Sequence, residues 1–255
     1  YVVGILKGNS VAEEDYVIIK YDSSGHEVWW QSYDNTLGVD KALAIDFDTS
    51  QKHIYITGSA WDGSIAEENY VTIKYDSSGN QIWVREYDNV FGADIAKAIR
   101  VDNKENIYIT GSSWDGSIAK ENYVTIKYDS TGNQKWLREY DNAFGPDIAN
   151  DLEIDNKGNV FVTGSAWDGS IAKENYVTIK YDSSGNQKWL KEYDNVFGAD
   201  IANDMEIDKY GNVYVTGSSW NGSVANEDYV TIKYDSAGNR IWGIEYSNGH
   251  GADYS

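Results

Sequence analysis

The chain has 255 residues and contains no cysteine, one proline and one methionine. Without cysteine there are no disulfides, no thiolate metal ligands and no cysteine nucleophile, and the redox compartment is left open. No run of about 18 apolar residues occurs, so no membrane-inserting helix is expected. Basic residues are few: 21 Lys and Arg stand against 41 Asp and Glu, a formal charge of −20. That charge repels phosphate backbones and anionic lipid headgroups, and no Lys or Arg cluster focuses an opposing field, so nucleic acid is not an expected partner. Catalytic signatures are missing as well. There is no Gly-x-Ser-x-Gly elbow, phosphate-binding loop or dinucleotide fingerprint. His26, His53 and His250 fall at turns or near the end, follow no common spacing and suggest no zinc site. The chain opens at Tyr1 without a methionine or an apolar signal segment, as expected of a mature, excised or partial product.

What is abundant is repetition. Tyr-Val-Thr-Ile-Lys-Tyr-Asp-Ser begins at Tyr70, Tyr123, Tyr176 and Tyr229, with a variant at Tyr16, a spacing of 53 or 54 residues. Such self-similarity describes an array of one unit. In the third copy, Asp94 to Asp102, Asn106 to Ser112, Asn122 to Asp129 and Asn133 to Tyr140 are short β-branched and aromatic runs bounded by turn residues. They predict four strands per copy, here called a, b, c and d. The a–b and c–d connections share Asp-x-x-Gly-Asn, as at Asp155 to Asn159 and Asp182 to Asn186. Its Asp accepts hydrogen bonds from the turn amides, and its Gly can take the left-handed region that closes a hairpin. The b–c and d–a connections are longer and share the opposite edge. Each unit therefore has a plain face and an elaborated face.

Four antiparallel strands per copy predict an all-β fold, a five-bladed β-propeller with about 53 residues per blade. Ala96, Ala98, Ala149 and Ala202 suit strand a to the crowded innermost position. Trp30, Trp83, Trp136, Trp189 and Trp242 on strand d are expected to fill the wider outer wedge. Tyr1 aligns with Tyr214, and Gly251-Ala252-Asp253 aligns with Gly198-Ala199-Asp200, so both ends belong to one blade. The expected organisation is a single domain, 1–255, with blades at about 1–35 plus 249–255, 36–88, 89–141, 142–194 and 195–248. Pairing of the terminal segments would close the ring and remove two open edges. Ser255 aligns with Ala202, so most of the closing strand a is not in the chain.

Gly211 to Gly217 (GNVYVTG) and Asp228 to Trp242 (DYVTIKYDSAGNRIW) resemble the units of the SBBP-type β-propeller repeat family, and all copies carry the pattern with small changes. The family name refers to seven blades, against about five copies here. The resemblance implies a secreted or cell-surface repeat module of bacteria or archaea, and it carries over no catalytic residue.

Two constellations are candidate sites. On the elaborated face, Trp61-Asp62, Trp114-Asp115, Trp167-Asp168 and Trp220-Asn221 recur near Asn69, Asn122, Asn175 and Asp228. An aromatic plate beside amides and carboxylates suits a sugar ring, and a multivalent lectin would carry one such site per blade. Trp packing over the blade top, with Asp-Gly as a turn, accounts for the same residues. In the first copy Lys7 and Gly8 replace Trp-Asp, so any site there should be lost. On strand a, Asp151, Glu153, Asp204 and Glu206 could hold a central Ca²⁺ if they converge, or could be solvated charge. No other cofactor is expected. Abundant carboxylates leave a glycosidase pair as a third reading, but near-identical copies argue against one asymmetric active site. The expected function is a non-catalytic extracellular structural or interaction module whose partners are other surface proteins, copies of itself or glycans.

Overall fold

The Asp-x-x-Gly-Asn sequences form the turns that their chemistry predicts. In the computed structural model, Asp182 Oδ1 accepts from the amides of Ser184 at 3.0 Å and Asn186 at 2.9 Å, and Asn186 Nδ2 reaches back to the same carboxylate. Gly185 turns the corner at φ +81°, a region that costs a residue without a Cβ nothing. The same bonds recur at Asp76, Asp129 and Asp235 between strands c and d, and at Asp102, Asp155 and Asp208 between a and b. The Asn side chain and the turn amides hold the carboxyls of Asp76 and Asp235 below the usual carboxylate range.

The structure describes residues 1–7, 14–35, 38–61, 63, 68–89, 92–116, 120–142, 144–170, 173–195, 197–220, 222 and 227–247. They form five antiparallel sheets in which consecutive strands pair. The first has three strands, β1 (Val2–Lys7), β2 (Glu14–Tyr21) and β3 (Glu27–Tyr33). The second contains β4 (Lys41–Phe47), β5 (His53–Trp61), β6 (Glu68–Asp76) and β7 (Gln81–Tyr87). The third contains β8 (Asp94–Val101), β9 (Ile107–Trp114), β10 (Glu121–Tyr128) and β11 (Gln134–Tyr140). The fourth contains β12 (Asp147–Ile154), β13 (Val160–Trp167), β14 (Glu174–Tyr181) and β15 (Gln187–Tyr193). The fifth contains β16 (Asp200–Ile207), β17 (Val213–Trp220), β18 (Glu227–Tyr234) and β19 (Arg240–Tyr246). Strand b runs on to its Trp, which pairs with the first residue of strand c, as in Trp167 with Glu174. That Trp ends a strand, where the sequence placed it in a loop. Among the described residues the first sheet contains only strands b, c and d, and the segment 249–255 expected to supply its strand a lies outside them. Among the described residues no helix is long and apolar enough to cross a membrane.

By its contacts the chain forms two compact units, Tyr1–Ile118 with Thr125–Leu137, and Ala119–Val124 with Arg138–Ser255. In the first unit, Tyr16 and Ile18 of β2 pack with Ala42, Ile54, Ile56, Val71 and Ile73 of the second sheet. Donors of the first sheet reach the second, among them Lys20 Nζ to Ser77 O at 2.9 Å, Trp29 Nε1 to Ser77 O at 3.2 Å and Tyr16 Oη to Val71 O at 3.4 Å. In the second unit, Phe161 and Tyr176 pack with Ala202, Met205, Val213, Val215, Val230 and Ile232 of the fifth sheet. The equivalent donors are Lys180 Nζ and Trp189 Nε1 to Ser236 O at 2.9 and 3.3 Å, and Tyr176 Oη to Val230 O at 3.5 Å. The repeated Tyr-Val-Thr-Ile-Lys-Tyr run is therefore buried on both faces in the second, third and fourth sheets, while its burial alternates in the first and fifth, and its first Tyr and its Lys tie one sheet to the next. In the first sheet the Trp that does this is Trp29. Its partner across the strand is Lys20, as Lys74 is for Trp83, while Trp30 pairs with Ile19 and is half exposed. The expected role of Trp30 thus belongs to its neighbour, because the turn Asp22 to His26 sets the register.

Strand a carries a β-bulge in each four-stranded sheet for which the pairing is described, where the register slips at Ala42/Ala44, Ala96/Ala98, Ala149/Asp151 and Ala202/Asp204. Beside each slip a glycine of strand b meets a backbone carbonyl. A Cβ on Gly58, Gly111, Gly164 or Gly217 would lie 1.8 to 2.0 Å from the carbonyl oxygen of Lys41, Ile95, Ile148 or Ile201. No side chain fits in that space.

Candidate functional site

The d–a loop of the second unit is built around one asparagine. Asn142 donates its amide to Asp147 Oδ2 at 2.7 Å, its Nδ2 to the carbonyl of Trp167, and accepts from Phe144 N at 3.1 Å. The result is a loop that holds Phe144 outward, 67 % exposed. Gly145 sits beneath Trp167, where a Cβ would meet the indole at 2.8 Å, and Phe144 lies against Gly169. The fifth sheet repeats the arrangement. Asn195 N bonds Asp200 Oδ2 at 2.8 Å, Asn195 Nδ2 bonds Trp220 O at 2.7 Å, and Phe197 stands 63 % exposed against Gly222.

Tyr140, Asn142, Phe144, Ala166, Asp168, Asn175, Val177 and Glu192 line a cleft of about 250 Å³ in this unit. Asp147, Ala166 and Asn175 pair in one row across β12, β13 and β14, so their side chains share a face. Asn175 is buried and its Oδ1 has no partner; Asp147 is fully buried and its Oδ1 has none either. Burial pushes the Asp147 carboxyl up to about 7. The corresponding Asp94 and Asp200 are fully buried and raised to about 6 for the same reason. Asp168 behaves oppositely. Burial works against its ionisation, but the Ser170 amide and hydroxyl and the Lys173 ammonium, 3.6 Å away, hold it below the usual range. The cleft thus offers an exposed aromatic face, buried acceptors and fixed negative charge.

Of the residues expected on this face, Asp168 and Asn175 line the cleft, and Trp167 does not. Trp61, Trp114, Trp167 and Trp220 all lie over loop glycines, Gly38, Gly92, Gly145 and Gly198. They cover their own blades, and Trp114 at 36 % exposure is the most open of them. Asn69, Asn122 and Asp228 are buried; Asn122 Nδ2 is bonded to Glu139 at 2.7 Å. Asp115 is partly buried, and Asp62 and Asn221 lie outside the described residues. Sequence reasoning missed Tyr140, Phe144 and Glu192. The signal was there in the Phe-Gly pair that recurs as Phe91-Gly92, Phe144-Gly145 and Phe197-Gly198.

The strand a carboxylates are used differently from a calcium cage. Asp151 Oδ2 accepts the Met205 amide at 3.0 Å, tying β12 to β16, and Asp204 Oδ1 accepts from the same amide. Glu153 is partly buried and Glu206 exposed. Among the described residues, Asp151, Glu153, Asp204 and Glu206 do not bring three ligand oxygens within 4.8 Å of one another.

No family model matches the chain, and no curated protein matches it. Its fold does resemble solved structures. An ulvan lyase of a polysaccharide-lyase family, bound to a GlcA(1-4)Rha3S saccharide, aligns with TM-score 0.55 and 11 % identity over 92 % of this chain and 60 % of the lyase. A gluconolactonase from Xanthomonas campestris aligns with TM-score 0.49 and 12 % identity over 92 % of this chain and 72 % of that one. A protein of unknown function from Bacteroides caccae aligns with TM-score 0.41 and 10 % identity over 96 % of this chain and 93 % of that one. The likeness to the lyase supports a β-propeller repeat architecture for this chain.

Proposed function

We propose that this chain is a non-catalytic, extracellular carbohydrate-binding module whose ligand is a neutral glycan. The observation that carries this reading is the cleft in which exposed Phe144 stands beside the buried, unpartnered Oδ1 of Asn175 and the carboxylates of Asp168 and Glu192. A sugar ring supplies an apolar face for the phenyl group and hydroxyl donors for the acceptors. Acceptors dominate the lining and the chain carries −20, so uronate and sulfate groups are disfavoured and a polyol is selected. Repetition of the Asn-x-Phe-Gly loop offers weak equivalent sites, which gain avidity on a polymer. A cell-surface setting follows the resemblance to SBBP-type repeats, with other surface proteins or copies of the chain as further partners.

A glycan array tests the reading. Neutral hexose polymers are expected to bind, and Phe144→Ala with Phe197→Ala to weaken binding about tenfold per site, the effect of one lost stacking contact. Both rings are largely exposed, so the melting temperature should hardly move. Preference for sulfated or uronate glycans, or binding indifferent to the double variant, would refute the proposal.

The closed ring of five blades rests on the repeat phase, in which Tyr1 aligns with Tyr214 and Gly251-Ala252-Asp253 with Gly198-Ala199-Asp200. This reading pairs the N- and C-terminal segments, and Val2, Ile5 and Leu6 of β1 are exposed. A chain shortened to residue 248 should then melt several degrees lower. An unchanged melting curve would argue against that closure.

A further inference from the structure

The plain face breaks its repeat at one point, and two departures meet there. In the a–b turns of the third and fifth sheets, one Asp carboxylate accepts from an Asn and a Tyr. Asp102 Oδ2 takes Asn106 Nδ2 at 2.7 Å and Tyr108 Oη at 3.0 Å, and Asp208 Oδ2 takes Asn212 Nδ2 at 2.7 Å and Tyr214 Oη at 3.3 Å. In the second sheet the Asn is replaced by His53, whose Nδ1 lies 2.7 Å from Asp48 Oδ2. Tyr55, the counterpart of Tyr108, is fully buried, and its hydroxyl has no partner.

The second departure is in the third sheet. Its a–b turn has Glu105 where the equivalent turns have Gly158 and Gly211. Glu105 is held at φ +59°, a region that costs a residue with a side chain on the order of 1 kcal/mol. Its Oε2 lies 3.7 Å from His53 Nδ1 and 3.5 Å from Lys74 Nζ. Lys74 is itself held by Ser130 O at 3.1 Å. Asp48, His53 and Glu105 thus place one ligand atom each within 4.8 Å of the others.

We propose that Asp48, His53 and Glu105 bind one divalent transition-metal ion of the zinc class. An imidazole nitrogen with two carboxylate oxygens suits Zn²⁺, whereas Ca²⁺ takes six to eight oxygens. The present separations of 2.7 and 3.7 Å bracket the roughly 3.3 Å between donors of a tetrahedral zinc with bonds of about 2.0 Å. Two carboxylates against the single Lys74 ammonium leave the cluster negative, and Asp48 is almost fully buried while Glu105 is open to solvent. The ion would enter past Glu105. His53 offers Nδ1 as a lone pair only with its hydrogen on Nε2, so the ion replaces the hydrogen bond to Asp48.

The test uses the full chain after chelator treatment. Calorimetric titration with zinc chloride should show one site per chain, and zinc should raise the melting temperature by several degrees where equal calcium does not. His53→Asn and Glu105→Gly install the residues of the other turns, so both should fold, and Glu105→Gly also relieves the strained backbone. Each is expected to weaken zinc at least tenfold while the metal-free protein melts no lower than wild type within about 2 °C. Cobalt(II), as a spectroscopic substitute, should give a visible d–d spectrum that His53→Asn abolishes. Binding undiminished in His53→Asn, calcium equal to zinc, or no stoichiometric zinc site would overturn the proposal.

Discussion

Replacing Gly164 by Ala should lower the melting temperature by on the order of 10 °C. The added Cβ would fall 2.0 Å from the carbonyl oxygen of Ile148 and 2.8 Å from Tyr123 Oη. The first obstacle is backbone of a paired strand, fixed by the bulge at Ala149/Asp151. Relief therefore requires β12 and β13 to part, and overpacking of this kind costs about 3 kcal/mol or more. At roughly 2–4 °C per kcal/mol for a chain of this size, the shift is large. Gly217→Ala, which meets Ile201 O at 1.9 Å, should behave alike. Gly211→Ala is the control, since the nearest atom to its Cβ is Ser236 Cβ at 3.4 Å and only the φ of +81° is unfavourable. It should lose about 1 kcal/mol. A Gly164→Ala protein that melts no lower than Gly211→Ala would contradict this account of the bulge.

The protein should be more stable at pH 5 than at pH 8. Burial raises Asp147 to about 7, and Asp94 and Asp200 to about 6, from an ordinary value of 3.8. Between pH 4 and 7 the folded chain therefore holds protons that the unfolded chain has released. By linkage, stability rises as pH falls through that window. The turn aspartates act in the opposite sense. Asp76, Asp182, Asp208 and Asp235 are lowered, so the stability they contribute is present above 3.8 and is lost only below it. The optimum should lie near pH 4.5. Discounting each buried group for solvent screening to one pK unit, about 1.4 kcal/mol, still gives a gain of roughly 10 °C from pH 8 to 5. Asp147→Asn with Asp200→Asn should flatten the curve, which separates these groups from the general relief of the −20 charge. A melting temperature flat or falling from pH 8 to 5 in low salt would rule this out.

Strand number, order and turns were legible in the sequence because Asp-x-x-Gly-Asn leaves the backbone little choice, and each hairpin then sets the register of its strands. Trp30 was misassigned through a doubled Trp that only the register to Lys20 and Ile19 resolves. The exposed aromatic was misjudged for a related reason. Trp167 looks like the better sugar platform, but Gly145 beneath it lets the indole settle on its own blade, which leaves Phe144 outside. The glycines of strand b recur visibly, yet their necessity comes from a register slip that composition does not show. His53 seemed isolated because it does not recur. Its partner Glu105 comes from the turn of the following sheet, a pairing visible only once the sheets stand side by side.

The joints between sheets have a consequence for heredity. Lys20 reaches Ser77, Lys74 reaches Ser130 and Lys180 reaches Ser236, each to the same carbonyl of the next copy. A joint of this kind reads its neighbour by backbone position and ignores most of its side chains. Unequal recombination that adds or removes one whole period therefore leaves the flanking joints intact, and gene copies could lengthen or shorten without first evolving new interfaces.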